Sequence, residues 1–169
     1  MVPENEYHPY YKSYIHDLAS SGKSIVEVLI ESQRQTYDVL SSLPEDKYEY
    51  RYAEGKWTIK ELLQHCLDTE RIFNYRALRF ARNDQTELQG FEQDDFNDAS
   101  KANDRDFQEI LEEFNAVRTS TVFLYRSFTD EMLQQIGTAS GNPMSVRALG
   151  YLTAGHLNHH IQVFKERYI

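Results

Sequence analysis

Four long stretches of this chain repeat apolar residues at intervals of three and four, and none sustains the alternation of a strand. That period restricts the fold to helices packed on helices. The first stretch runs from about Gly22 to Leu43 through Ile25, Val26, Leu29, Ile30, Tyr37 and Leu40, and Pro44-Glu45-Asp46 interrupts it. A short helix near Tyr10 to Ala19 precedes it. The second begins at Thr58, where Thr58-Ile59-Lys60-Glu61 has the spacing of a capping box, and should end near Arg82-Asn83-Asp84. Residues 84–104 show no helical apolar period and are rich in Asn, Asp and Gln, so they read as a long connection. The third stretch follows from Phe107 to near Phe128. The turn formers Gly137-Thr138-Ala139-Ser140-Gly141-Asn142-Pro143 come next, then Ser145 as N-cap of a last helix reaching about Tyr168. The expected fold is all-α, a four-helix bundle with a long crossover connection, as one domain over residues 1–169 and with no strands.

The size suits that reading: 169 residues, 40% apolar and 13% aromatic, are enough for one real core. A net charge of -9 would repel a phosphate backbone, so no nucleic-acid partner is expected. Arg71, Arg76, Arg79 and Arg82 form the one basic cluster, but their spacing spreads them around a helix, and most of them read as solvated surface. No window approaches the roughly 20 apolar residues that span a bilayer, and the polar start MVPENEYHPYYKSYIHDL does not read as a signal peptide. The expected location is cytoplasmic. The single cysteine, Cys66, excludes an internal disulfide and a Cys-rich zinc site, and its place in an apolar stripe reads as a buried structural thiol.

His156 and His160 are four apart, so they project from one face of the last helix, the face shared with Leu149, Leu152 and Val163. Such a pair can grip one ion, or it can be two satisfied core histidines. His65 is the only other histidine in a long amphipathic segment. It sits at the flank of the Leu62, Cys66 and Phe73 stripe, above Thr69, Ile72 and Arg76. Three neutral imidazoles suit zinc, nickel or ferrous iron, and they leave coordination positions open, as catalytic sites do. His159 reads as a neighbour that packs or hydrogen-bonds, and His8 and His16 as unrelated residues of a mobile N-terminal part. Glu61 is explained by capping. Leu157 stands where a zincin would need Glu, and the paired Glu-x-x-His motifs of di-iron bundles are missing.

With those residues in view, the chain resembles the DinB-like superfamily, including its YfiT-like members, over nearly its whole length. The segment Trp57-Thr58-Ile59-Lys60-Glu61-Leu62-Leu63-Gln64-His65-Cys66-Leu67-Asp68-Thr69-Glu70 is similar to the family's Trp-to-His-to-Asp motif. The segment from Arg147 to His160 resembles its closing HxxxH. The resemblance implies a bundle with a His triad at one end, binding one divalent ion, zinc or nickel first and iron also compatible, in a protein that is often a homodimer. The tyrosine-rich segments Tyr7 to Tyr14 and Tyr48 to Tyr52, read as exposed, fit a dimer contact. Among such proteins are bacillithiol- or mycothiol-using S-transferases, a maleylpyruvate isomerase, proteins labelled metal hydrolases, and members with no assigned reaction. Arg76 and Gly90-Phe91-Glu92-Gln93-Asp94 fall where YfiT-like members place an arginine and a Tyr-Asp-Glu-like loop. Here Phe91 stands in place of the tyrosine and brings no hydroxyl.

The function expected first is a metal-dependent transfer of a small-molecule thiol, the substrate being small and the ion lowering the thiol's pKa. In that reading Arg76 holds an anionic part of the substrate, while Asp68 or Glu92 orients a ligand histidine or relays a proton. The other reading of Arg76 is a salt bridge to the acidic connection at Glu92 to Asp95. The alternatives for the whole chain are hydrolysis by hydroxide generated at the ion, and a metal-stabilised binding or stress-response module without turnover.

Overall fold

The computed structural model describes residues 2–168. After short 3-10 turns at Glu4–Glu6 and Pro9–Tyr11 come α1 (Lys12–Ser20), α2 (Ile25–Leu40), α3 (Ile59–Ala81), α4 (Gln93–Ser100), α5 (Phe107–Arg126), α6 (Asp130–Leu133), the hairpin β1 (Ile136–Ala139) and β2 (Asn142–Ser145), and α7 (Val146–Arg167). The long helices start where their caps place them. Ser24 and Thr58 form reciprocal capping boxes with Glu27 and Glu61, Asp106 accepts from the Glu109 amide, and Ser145 accepts from the Ala148 amide at 3.1 Å. Each such cap is worth about 1 kcal/mol.

The bundle is formed by α2, α3, α5 and α7. Both α2 and α3 pack against α5 and α7, which makes α2 and α3 diagonal to one another, and α5 and α7 likewise. The diagonal steps are carried by residues 41–58 and 127–145, whereas the long connection between α3 and α5 joins neighbouring helices. No helix among the described residues is long and apolar enough to cross a membrane.

The core is divided along the bundle axis. One apolar cluster contains Ile15, Leu29, Phe73, Phe80, Leu149 and Leu152; the other contains Leu63, Leu67, Ile110, Phe114, Leu157 and Phe164. Between them α3 carries Glu70, α5 carries Arg118 and Thr121, and α2 carries Ser32, all buried. Arg118 is fully enclosed. Its Nε and Nη2 donate to the two Glu70 oxygens at 2.8 Å, and its Nη1 donates to the Leu29 carbonyl at 3.0 Å and to Ser32. Thr121 adds a donor to Glu70 at 2.6 Å. One guanidinium thus ties α2, α3 and α5 together, and its partner is fully hydrogen-bonded, as a buried ion pair requires.

Four expectations from the sequence are corrected. Residues 84–104 are not a structureless connection, because α4 lies within them. The residue α4 turns inward is Asn97, not an apolar one, so the helix leaves no apolar period to read. In the amide orientation that satisfies its neighbours, Asn97 accepts from the Trp57 indole N–H at 2.9 Å and donates to the Glu61 carbonyl at 3.3 Å. The run from Gly137 to Pro143 is not only turn: it closes a hairpin whose two-residue loop, Ser140-Gly141, has φ of 53° and 74°. Positive φ at both positions gives the turn whose twist matches that of paired strands. Strands of four residues are too short to show a period of two.

The N-terminal part is also ordered into the fold. Ile15 is fully buried, and α1 packs along α7. Arg147 at the start of α7 grips Glu6, with Nε 2.7 Å from Oε2. Tyr7 is buried, and Tyr48 stacks on Phe107 with ring centroids 4.1 Å apart, so neither tyrosine segment is simply exposed surface.

Candidate metal centre

His65 lies seven residues into α3, and His156 lies half-way along the 22 residues of α7. The helices pack side by side, and the Tyr168 hydroxyl donates to the Trp57 carbonyl at 2.8 Å, which pins the C-terminus of α7 beside the N-terminus of α3. This antiparallel register sets His65 opposite the His156 and His160 pair. The Nε2 of His156 stands 3.2 Å from that of His65 and 3.1 Å from that of His160, and all three lie within 4.8 Å of one another.

Proton sharing between neutral rings cannot satisfy this arrangement. An imidazole nitrogen has either one proton or one lone pair, and His156 Nε2 faces two others. A cation accepts all three lone pairs at once. Ligand nitrogens bonded to one ion at about 2.0–2.1 Å stand about 3 Å apart, which is the spacing of the two pairs that meet at His156. The donor set therefore fits a divalent metal.

The rings are kept neutral and in place. Burial pushes His65 down to about 4 and His160 down to about 3, and it lowers His156 well below its usual value, helped by the neighbouring histidines. Trp57 tilts over His65 with centroids 4.7 Å apart, Phe73 meets His156 edge-on at 5.9 Å, and Tyr14 meets His156 and His159 edge-on at 6.3 and 5.2 Å. The triad forms one wall of a cavity of about 470 Å³, whose other sides come from Tyr10, Tyr11, Tyr14, Thr69, Arg76 and the Phe91-Glu92-Gln93 segment.

The family model of the DinB superfamily matches residues 29–164, most of the chain and both helices of the triad. The chain belongs to the DinB superfamily. Two solved structures share the fold. YfiT from Bacillus subtilis, described as a probable metal-dependent hydrolase with an unusual four-helix bundle topology, is 16% identical with a TM-score of 0.75, over 84% of this chain and 82% of that one. The DinB-like protein YjoA from Bacillus subtilis is 20% identical with a TM-score of 0.60, over 84% of this chain and 87% of that one. No match was found among curated proteins.

In this member of the DinB superfamily the histidines stand about two turns into α3 and between half-way and two-thirds along α7. Arg76 lines the same cavity and is buried. Its contact with the acidic connection is not a salt bridge: Nη2 donates to the Gln89 carbonyl at 2.9 Å and to the Ser140 hydroxyl at 3.1 Å. The other three arginines of the cluster are at the surface or half-buried, where Arg71 pairs with Glu113 and Arg79 with Asp84. Glu92 reaches the cavity mouth, exposed.

Asp68 does not line the cavity. Its carboxylate is taken up by neighbours on α3 instead, accepting from Gln64 Nε2 at 3.0 Å and lying 3.6 Å from Arg71, which itself pairs with Glu113 of α5. Cys66 is buried, and burial pushes its thiol up, so it stays protonated. Tyr10, Tyr11, Tyr14 and Ser140 were missed. The spacing of the tyrosines does place them on one helix face, but only the packing of α1 on α7 shows what they cover.

Proposed function

We propose that this chain is a metal-dependent enzyme: His65, His156 and His160 hold one divalent ion that activates a small nucleophile, a low-molecular-weight thiol first of all. The observation that carries the reading is the convergence of three neutral imidazole nitrogens on the wall of an open cavity. When bound, the ion supplies a Lewis acid that lowers the pKa of a thiol or water presented from the cavity. The protein's own groups prepare that step. Burial keeps the imidazole lone pairs free of protons at neutral pH, Trp57 and Phe73 shield the rings, and Tyr14 fixes the orientation of His156. The Tyr14 hydroxyl, pushed up to about 12 mainly by burial, stays protonated and can donate to a bound anion.

Hydrolysis is the second reading. It is favoured by Glu92, the one carboxylate among the described residues that line the cavity and a group able to accept a proton from water, and by the description of YfiT as a probable metal-dependent hydrolase. A module without turnover would not need the open space in front of the histidines.

Elemental analysis of the purified protein beside His65→Ala, His156→Ala and His160→Ala tests the site. One equivalent of metal in the parent and loss in each variant is expected; full metal in the variants refutes it. A panel that compares thiol conjugation of electrophiles with hydrolysis of esters, amides and phosphates then separates the two reactions.

A further inference from the structure

Three cationic side chains other than histidine are buried among the described residues: Lys60 at 8% exposure, Arg76 at 5% and Arg118 at 0%. Lys60 meets Glu49 at 3.0 Å, and Arg118 meets Glu70 at 2.8 Å. Arg76 meets no carboxylate among the described residues. Its two hydrogen bonds, to Gln89 and Ser140, go to neutral acceptors and use Nη2 alone. A guanidinium has five N–H donors in a planar fork, so Nε and Nη1 remain for a ligand in the cavity that Arg76 lines. A buried cation with only neutral partners leaves its desolvation largely uncompensated, and burial lowers its pKa accordingly.

A second polar group is unpartnered on the same wall. Thr69 is 3% exposed, lines the cavity, and its hydroxyl has no hydrogen-bond partner. His65, Thr69 and Arg76 follow at four and seven residues along one face of α3, and a helical side chain leans toward the N-terminus, which carries Arg76 back toward the histidines. From Thr69 to Arg76 is two turns, about 10 Å. The space between is walled by Tyr11, Tyr14, Phe73 and Phe91.

From this arrangement we infer that the cavity takes a small molecule with a carboxylate at one end, docked on Arg76, and its reacting atom at the histidines on the other side of the same cavity. The lining residues include one arginine and, at the mouth, Glu92, a balance that suits a monoanion better than a phosphate dianion. With Nη2 held by Gln89 and Ser140, the carboxylate accepts a charge-assisted hydrogen bond from Nη1 or Nε. The reacting end rests on the metal-dependent reading above; the anion anchor does not.

The test uses the protein loaded with cobalt(II), titrated with terminal mercapto-carboxylic acids from mercaptopropionate to mercaptooctanoate, each beside its uncharged primary amide. Sulfur-to-cobalt charge transfer reads binding. The acid of matching length should bind about tenfold or more tighter than its amide, and the difference should vanish in Arg76→Gln and partly return in Arg76→Lys. Equal affinity of acid and amide in the parent protein at every length overturns the anchor without need of a variant. A preference that survives Arg76→Gln overturns it too. If cobalt does not bind, or no thiol gives the band, the metal-dependent thiol reading fails by itself. Calorimetry of octanoate against octanamide then decides the anchor: acid-selective binding lost in Arg76→Gln upholds it, and no selectivity overturns it.

Discussion

The Tyr14 carbonyl lies against Gly155 so closely that a Cβ on residue 155 would stand 2.0 Å from it. The contact is backbone to backbone and comes one residue before His156, so it sets how near α1, with the Tyr14 ring, approaches the histidines. Neither side can yield by turning a side chain.

Gly155→Ala should therefore force α1 away from α7. The expected cost is about 1–3 kcal/mol or more, with weaker metal binding as the Tyr14 ring leaves His156. Thermal unfolding and a metal titration of the same variant check the two effects; an unchanged melting temperature would contradict the contact.

Removing Arg118 should be among the most damaging single changes outside the site. Arg118→Met leaves Glu70 buried and charged, at an expected cost of about 3–5 kcal/mol. Pairing it with Glu70→Gln should recover part of the loss, since the second change removes the stranded charge. Chemical denaturation of the parent, the two single variants and the double variant gives the coupling directly.

The metal-free protein should lose stability on mild acidification. The folded-state pKa values of His65 and His160, about 4 and about 3, lie below the ordinary 6.5, and His156 is lowered as well. The unfolded chain therefore takes up protons that the native triad refuses. Stability from this source is level above about pH 6.5 and falls as the pH drops toward about 4. Melting temperatures of the metal-free protein should decline over that window, and less steeply in His160→Ala; a flat profile would show that the imidazoles are not held neutral.

Much of this fold is legible in the sequence because it is set locally. The starts of α3 and α7 follow from Thr58 and Ser145, whose hydroxyls satisfy amides three residues on, and the pairing of His156 with His160 follows from helical period. What is not legible is set by distant partners. Asn97 hides α4 because its inward contact is polar, and the hairpin hides in turn formers because its strands are four residues long. That His65 faces His156 needs the antiparallel register of α3 and α7. That Asp68 does not line the cavity needs the positions of Gln64 and Arg71.

Trp57 is the only tryptophan, and it lies 4.7 Å from the His65 ring with its indole N–H on Asn97. Copper(II) or nickel(II) should quench its fluorescence with one-to-one stoichiometry, and His65→Ala should abolish the effect. Asn97→Ala should cost about 1 kcal/mol or more through the lost hydrogen bonds and shift the emission to the red; quenching that persists in all three histidine variants would place the ion elsewhere.

The two ends of the cavity come from parts of the chain under different constraints. The histidines stand on long helices packed into the core, where a shift in register would carry them apart. Arg76, at the other end, is steadied by the Gln89 carbonyl in a connection and by Ser140 in an exposed hairpin loop. Loops tolerate insertion and exchange far better than packed helices do. A descendant of this protein could thus acquire a new preference by rewriting a few loop residues while inheriting its reaction centre intact, so that chemistry and choice of substrate evolve separately.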